Sequence, residues 1–153
     1  MNEQKIDYPP LLPAGLHAHT LETLQVLTVD QFPNSRRRAG LFTSLSVYLD
    51  LLAATGLKAS IWVDGSFMCT KQLPEDIDLV VVWDGESPDT LSAPAIEQLN
   101  CLLNTNMMKA RFGLHVFGVD GSLPSDMDFW RQKFGTQRDE VTPKGLAEIK
   151  VNK

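Results

Sequence analysis

Two aspartates one residue apart, Asp76 and Asp78, open the apolar run "DIDLVVVW", and shortly before it a Gly-Ser pair, Gly65 and Ser66, follows the run "SIWVD". In an extended strand, residues two apart point to the same face with Cα atoms about 6.6 Å apart. The two carboxylates can therefore converge on one cation. Glycine at a strand-to-turn junction lets backbone amides and the Ser66 hydroxyl approach a phosphate closely. Magnesium is commonly held by one or two carboxylates, with phosphate oxygens and water completing its octahedron. The two halves of the pattern thus suit one ligand, a phosphate ester carried with Mg2+ or Mn2+. Two such ions about 4 Å apart would clamp the attacking and leaving oxygens of a phosphoryl transfer. Lys71 and Lys144 are cations that would neutralise phosphate charge, against the plainer reading of solvated side chains. Asp64, just before Gly65, is placed to cap or brace the turn.

Positioning these groups requires strands at both halves. "KASIWV", residues 58–63, and "IDLVVVW", residues 77–83, read as strands, the second β-branched enough to be buried on both faces. "RFGLHVFGV", residues 111–119, is a third, with Phe112, Leu114 and Val116 on one face and His115 and Phe117 on the other. After Pro33, Asn34 or Ser35 caps a helix in which Leu41, Leu45, Tyr48 and Leu52 recur at helical spacing and which Gly56 ends. Its first turn holds Arg36, Arg37 and Arg38, where the helix dipole disfavours cations; the plain reading is a solvated basic turn. "SAPAIEQLNCLLNTNMMKA" reads as one further helix with Ile96, Leu99, Leu102 and Leu103 on one side. A short helix in "SDMDFWRQKFG" is capped by Ser125 or Asp126, and the tail "QRDEVTPKGLAEIKV" ends in a short edge strand. Repeated prolines make the start of the chain an extended lead-in, followed by a short helix that Thr20 would cap, with Thr23 where a capping-box Glu is preferred. Strands separated by helices favour an α/β sheet covered by helices.

The chain has 153 residues, 43% hydrophobic and 22% charged, the balance of a single soluble globular domain. Within residues 1–153 the expected division is a lead-in over 1–33, a core over about 34–120 and a C-terminal extension over 121–153. A net charge of −5 argues against broad, charge-driven binding to nucleic acid or anionic membrane. Cys69 and Cys101 are isolated, which suggests neither zinc nor a disulfide framework and makes a reducing cytoplasm the default location. No signal pattern opens the chain, and no apolar run approaches the roughly 20 residues a membrane helix needs. His17 and His19 lack further ligands nearby in sequence and fit an ordered loop better than a metal site. Phe129, Trp130 and Phe134 fit a packing lid better than a base-stacking platform.

The stretch "GSFMCTKQLPEDIDLVV" resembles the Gly-Ser, spacer, Asp-x-Asp signature of the nucleotidyltransferase superfamily related to DNA polymerase beta. It is most similar to the small bacterial members, which include minimal nucleotidyltransferases of toxin-antitoxin systems, although its spacer is slightly shorter. The resemblance implies an α+β fold, a mixed β-sheet flanked by helices. It implies a nucleoside triphosphate as ligand, with Gly65 and Ser66 near its terminal phosphates, and Asp76 and Asp78 as metal ligands. Active members carry a third carboxylate on the next strand, where this chain has His115. Two readings of His115 follow: a base acting near neutral pH, or a half-buried strand histidine bonded to a neighbour. The function expected is accordingly nucleotidyl transfer to an acceptor hydroxyl, or, as the alternative, an inactive module that binds a protein partner in the manner of an antitoxin. Asp120 lies about 16 Å further along the strand than His115 and makes no easy substitute.

Overall fold

Residues Ile77–Trp83 are almost wholly buried on both faces, which places this run at the interior of a sheet. The structure is a computed structural model and describes residues 8–136 and 144–153. Its elements in chain order are β1 (Gly15–Ala18), α1 (Leu21–Gln25) with a π-helical turn to Asp30, α2 (Arg36–Ala54), β2 (Ala59–Asp64), β3 (Ile77–Trp83), α3 (Ala93–Leu102), α4 (Thr105–Phe112), β4 (Leu114–Asp120), α5 (Pro124–Phe134) and β5 (Gly145–Val151). The five strands form one mixed sheet in the order β1-β5-β2-β3-β4. β3 runs parallel to β4 and antiparallel to β2, while β5 is antiparallel to β2 and parallel to β1.

Period-two alternation sorts the side chains between two faces. Ile61, Val63, Leu79, Val81, Leu114, Val116, Ala147 and Ile149 meet Leu41, Leu45, Tyr48, Leu49 and Leu52 of α2, with Leu99, Leu102 and Met108 from α3 and α4. Each fully buried Leu or Val contributes roughly 1.5–3 kcal/mol of transfer free energy, so this layer is the main source of stability. Tyr48 donates its hydroxyl proton to the Leu102 carbonyl at 2.8 Å, joining α2 to the end of α3. The opposite face presents Trp62, Val80, Val82, Val119 and Leu146, covered by Met127, Trp130 and Phe134 of α5. Asp64, Asp78 and His115 share that second face.

Several expectations are corrected. β5 is not an edge strand: it lies between β1 and β2, with Ala147, Ile149 and Val151 buried on one face and Leu146 on the other. The helix expected from Ser92 to Ala110 is two, because Asn104 leaves helical geometry and caps α4 by accepting from the Met107 N–H at 3.0 Å. β4 starts at Leu114, since Arg111 and Phe112 end α4 and Gly113 turns the chain with φ 69°. α5 starts at Pro124 without a side-chain cap, so neither Ser125 nor Asp126 caps it. Proline at the first helical position needs no N–H partner, which suits that start. Ile96 is exposed instead of packed. The short early helix does carry a capping box, with Thr23 in place of Glu: Thr20 Oγ1 accepts from the Thr23 N–H, and Thr23 Oγ1 accepts from the Thr20 N–H. The lead-in lies across the Gly-Ser turn, with Leu11 N–H on the Met68 carbonyl and Thr70 N–H on the Pro9 carbonyl.

Candidate functional site

Sheet register aligns the chemistry. Asp78 on β3 pairs with Asp64 on β2 and with His115 on β4, so three polar side chains form a row across the second face. His115 Nδ1 lies 3.2 Å from Asp78 Oδ1. With the carboxylate as acceptor, Nδ1 carries a proton, and in the neutral ring Nε2 then keeps its lone pair. At the other end of the row, Lys144 Nζ lies 3.0 Å from Asp64 Oδ1. Asp76 immediately precedes β3, with Lys109 Nζ of α4 at 4.0 Å, a contact too exposed to hold either group firmly.

Gly65 joins the two halves of the sequence pattern physically. Its φ of 88° and ψ of −168° belong to a region used almost only by glycine, and a Cβ there would stand 2.9 Å from Asp78 Oδ2. The Asp-x-Asp carboxylate therefore packs directly on the Gly-Ser turn. Ser66 opens a short 3₁₀ turn, Ser66–Met68, and its hydroxyl makes no hydrogen bond to a described residue. Lys71 contributes its backbone carbonyl to the interior, where it accepts from Arg38.

Charge in the row is poorly compensated. Burial lifts the Asp64 carboxyl to about 6 despite the Lys144 ammonium and the Gly65 N–H, and the negative charge of Asp78 adds to the rise. Asp78 is raised as well, first by burial and then by Asp76, with His115 pulling the other way. Two carboxylates thus adjoin on the face and the charge of Asp76 acts on one of them, an arrangement that a cation relieves. The oxygen donors suit a hard ion such as Mg2+ or Mn2+. Among the described residues no set of three or more His, Cys, Asp and Glu side chains is assembled as a metal cage.

The remaining candidates fall outside this row. His17 donates through Nε2 to the Pro13 carbonyl at 2.7 Å and His19 Nδ1 contacts Thr23 Oγ1 at 2.9 Å, as loop histidines do. Asp120 accepts the backbone and side-chain protons of Ser122, which hold its carboxyl below the usual range. Trp130 and Phe134 stack at 5.4 Å over Phe117, which itself lies 4.5 Å from the His115 ring, while Phe129 is exposed. α5 is thus a lid whose aromatic underside reaches the histidine. A cavity of about 380 Å³ opens on the same sheet face near Ser60, Trp62 and Arg131, but it does not include the row, and the chemistry is placed by geometry alone. Two residues of the site were not recognisable as partners in the sequence: Asp64 and Lys144 lie far apart along the chain, and only the β5–β2 pairing brings them together. A third, Arg38, did leave a signal in the sequence, a cation where the dipole disfavours one.

No helix among the described residues is long and apolar enough to cross a membrane. No curated protein and no solved structure matches the chain. The family model of DUF6932, a family of unknown function, matches residues 5–150, and the chain belongs to that family.

Proposed function

We propose that the chain binds a nucleoside triphosphate with Mg2+ or Mn2+ and transfers a nucleotidyl group to an acceptor hydroxyl. The observation that carries this reading is the packing of the Asp78 carboxylate on Gly65, with His115 bonded to its other oxygen. A glycine turn, a carboxylate and an imidazole thereby lie side by side across one strand register, which supports the reading. Asp76 and Asp78 would hold the ion, and Gly65 and Ser66 the terminal phosphates. When bound, the ion supplies charge neutralisation at the phosphates. His115, oriented by Asp78, accepts the proton of the acceptor hydroxyl through Nε2 as the new oxygen–phosphorus bond forms at the α-phosphorus. The bond from that phosphorus to the bridging oxygen breaks, and pyrophosphate leaves with the electron pair. Histidine in place of a third carboxylate supplies the base but not a further hard ligand, which suits a site with few protein ligands.

Calorimetry with the four ribonucleoside triphosphates and Mg2+ tests binding, and transfer of α-phosphate label tests chemistry. Asp76→Ala and Asp78→Ala are expected to abolish both; His115→Ala is expected to keep binding and to lower transfer by about 10²–10⁴-fold, the usual contribution of a general base. Absence of binding in the parent chain rejects the reading. Binding without transfer to any acceptor leaves a nucleotide-responsive module that works through a protein partner.

A further inference from the structure

Arg38 is fully buried, yet among the described residues no carboxylate contacts its guanidinium. Its donors go to backbone carbonyls instead. Nη1 donates to Thr28 O at 3.0 Å and Phe67 O at 2.7 Å; Nη2 donates to Cys69 O, to Lys71 O at 2.6 Å and, longer, to Ser66 O at 3.4 Å; Nε donates to Lys71 O at 3.0 Å. Phe32 lies against the guanidinium plane at 3.8 Å, with Phe67 at 5.3 Å. Next to it, Ser35 Oγ donates to the Gln72 carbonyl at 2.6 Å. The first turn of α2 thus gathers the carbonyls of residues 66, 67, 69, 71 and 72, the first part of the stretch that leads from Ser66 to the Asp-x-Asp pair.

We infer that Arg38 is the positioning residue of the phosphate-binding turn, and that its charge, met by carbonyls and by no carboxylate among the described residues, makes the turn selective for an anion. In a trans peptide the carbonyl and the following N–H point in opposite directions, and the chain contains no cis bond among its described residues. With the Ser66 and Lys71 carbonyls turned toward Arg38, the N–H groups of Phe67 and Gln72 turn away from it. The side chain thus fixes the peptide orientation that decides whether the turn offers donors or acceptors to a ligand. Aligned carbonyls disperse a cation's charge without cancelling it. Burial draws the guanidinium down to about 10, which leaves it charged at neutral pH. Lysine keeps the charge but not the planar fan of five donors, so the two roles separate by substitution.

This inference rests on the phosphate reading above, and its test keeps the two apart. Arg38→Lys and Arg38→Met are compared with Arg37→Ala, an exposed neighbour on the same helical turn. Amide hydrogen exchange at residues 66–72 reports anchoring without any ligand; calorimetry with Mg2+ and inorganic triphosphate reports binding. Expected are at least tenfold faster exchange across the turn in both Arg38 variants, affinity reduced more than tenfold in Arg38→Met and less in Arg38→Lys, and neither change in Arg37→Ala. Parent-like exchange in folded Arg38→Lys overturns the anchoring role, and this variant decides if Arg38→Met does not fold. Faster exchange with unchanged triphosphate affinity overturns the link to binding. If the parent itself binds no triphosphate, the phosphate reading fails and the anchoring claim is decided by exchange alone.

Discussion

Asp64 is the residue whose environment makes the sharpest thermodynamic demand. Its carboxyl is raised from 3.8 to about 6, chiefly by burial. The folded protein therefore keeps a proton that the unfolded chain gives up at lower pH. That contribution is fully present below 3.8 and is lost as pH rises through about 6. Asp64→Asn removes the dependence, so relative to the parent this variant should gain up to about 3 kcal/mol between pH ~4 and pH ~7. Urea midpoints across that range check it, and a constant difference between the two proteins refutes it. Asp78 shifts in the same direction, so the parent's own slope should be at least as steep. At this scale the sequence was informative where chemistry is local. The Gly-Ser pair and the Asp-x-Asp pair are visible as spacing, but the reason Gly65 must be glycine lies in the Asp78 oxygen beside it. Asp64 looked like a turn brace, and it does accept the Gly65 N–H. Its pairing with Lys144 depends on strand order, which periodicity does not encode.

At the scale of elements, the caps divide into those that only start a helix and those that also hold the site. Asn104 serves α4 alone, accepting from Met107. Ser35 accepts from the Arg38 N–H at 3.2 Å and also donates to the Gln72 carbonyl. Asn104→Ala should cost about 1 kcal/mol, the ordinary price of a lost cap, and leave ligand binding untouched. Ser35→Ala should cost about 1–3 kcal/mol, because the part-buried carbonyl also loses its partner, and should weaken triphosphate binding with it. Thermal unfolding and calorimetry of both variants check the contrast; equal costs with equal affinities would show that the α2 cap is only a cap. Strands β2, β3 and β4 and helix α2 were readable because their apolar patterns are strong, whereas β1 lies in the stretch expected to be an extended lead-in and becomes a strand only by pairing with β5. The break between α3 and α4 was not, since "NTN" interrupts an otherwise continuous helical pattern with residues that helices tolerate. Arg38 was readable only as an anomaly: burial of a cation among carbonyls depends on the spacer folding over α2, which no local pattern announces.

For the whole molecule, the decisive departure from the sequence reading is the position of β5. An edge strand can be lost with one seam broken, whereas β5 lies between β1 and β2 and its removal opens two. It also carries Leu146, Ala147, Ile149 and Val151 into both cores and is preceded by Lys144, the only ammonium facing buried Asp64 among the described residues. β-propensity in "GLAEIKV" marks a strand but not its neighbours, because parallel and antiparallel pairing are chosen by the assembled sheet. A chain ending at residue 136 should therefore fail to fold as a unit. Uncovering four apolar side chains, at roughly 1–3 kcal/mol each, consumes most of the 5–15 kcal/mol that stabilises a typical domain, before the unpaired Asp64 charge is added. The expected result is loss of the sigmoidal urea transition seen by far-ultraviolet circular dichroism. Cooperative unfolding of the truncated chain, with the slope scaled only to its shorter length, would instead show that strands β2 to β4 and their helices form an independent unit and that β5 is an appendage to it.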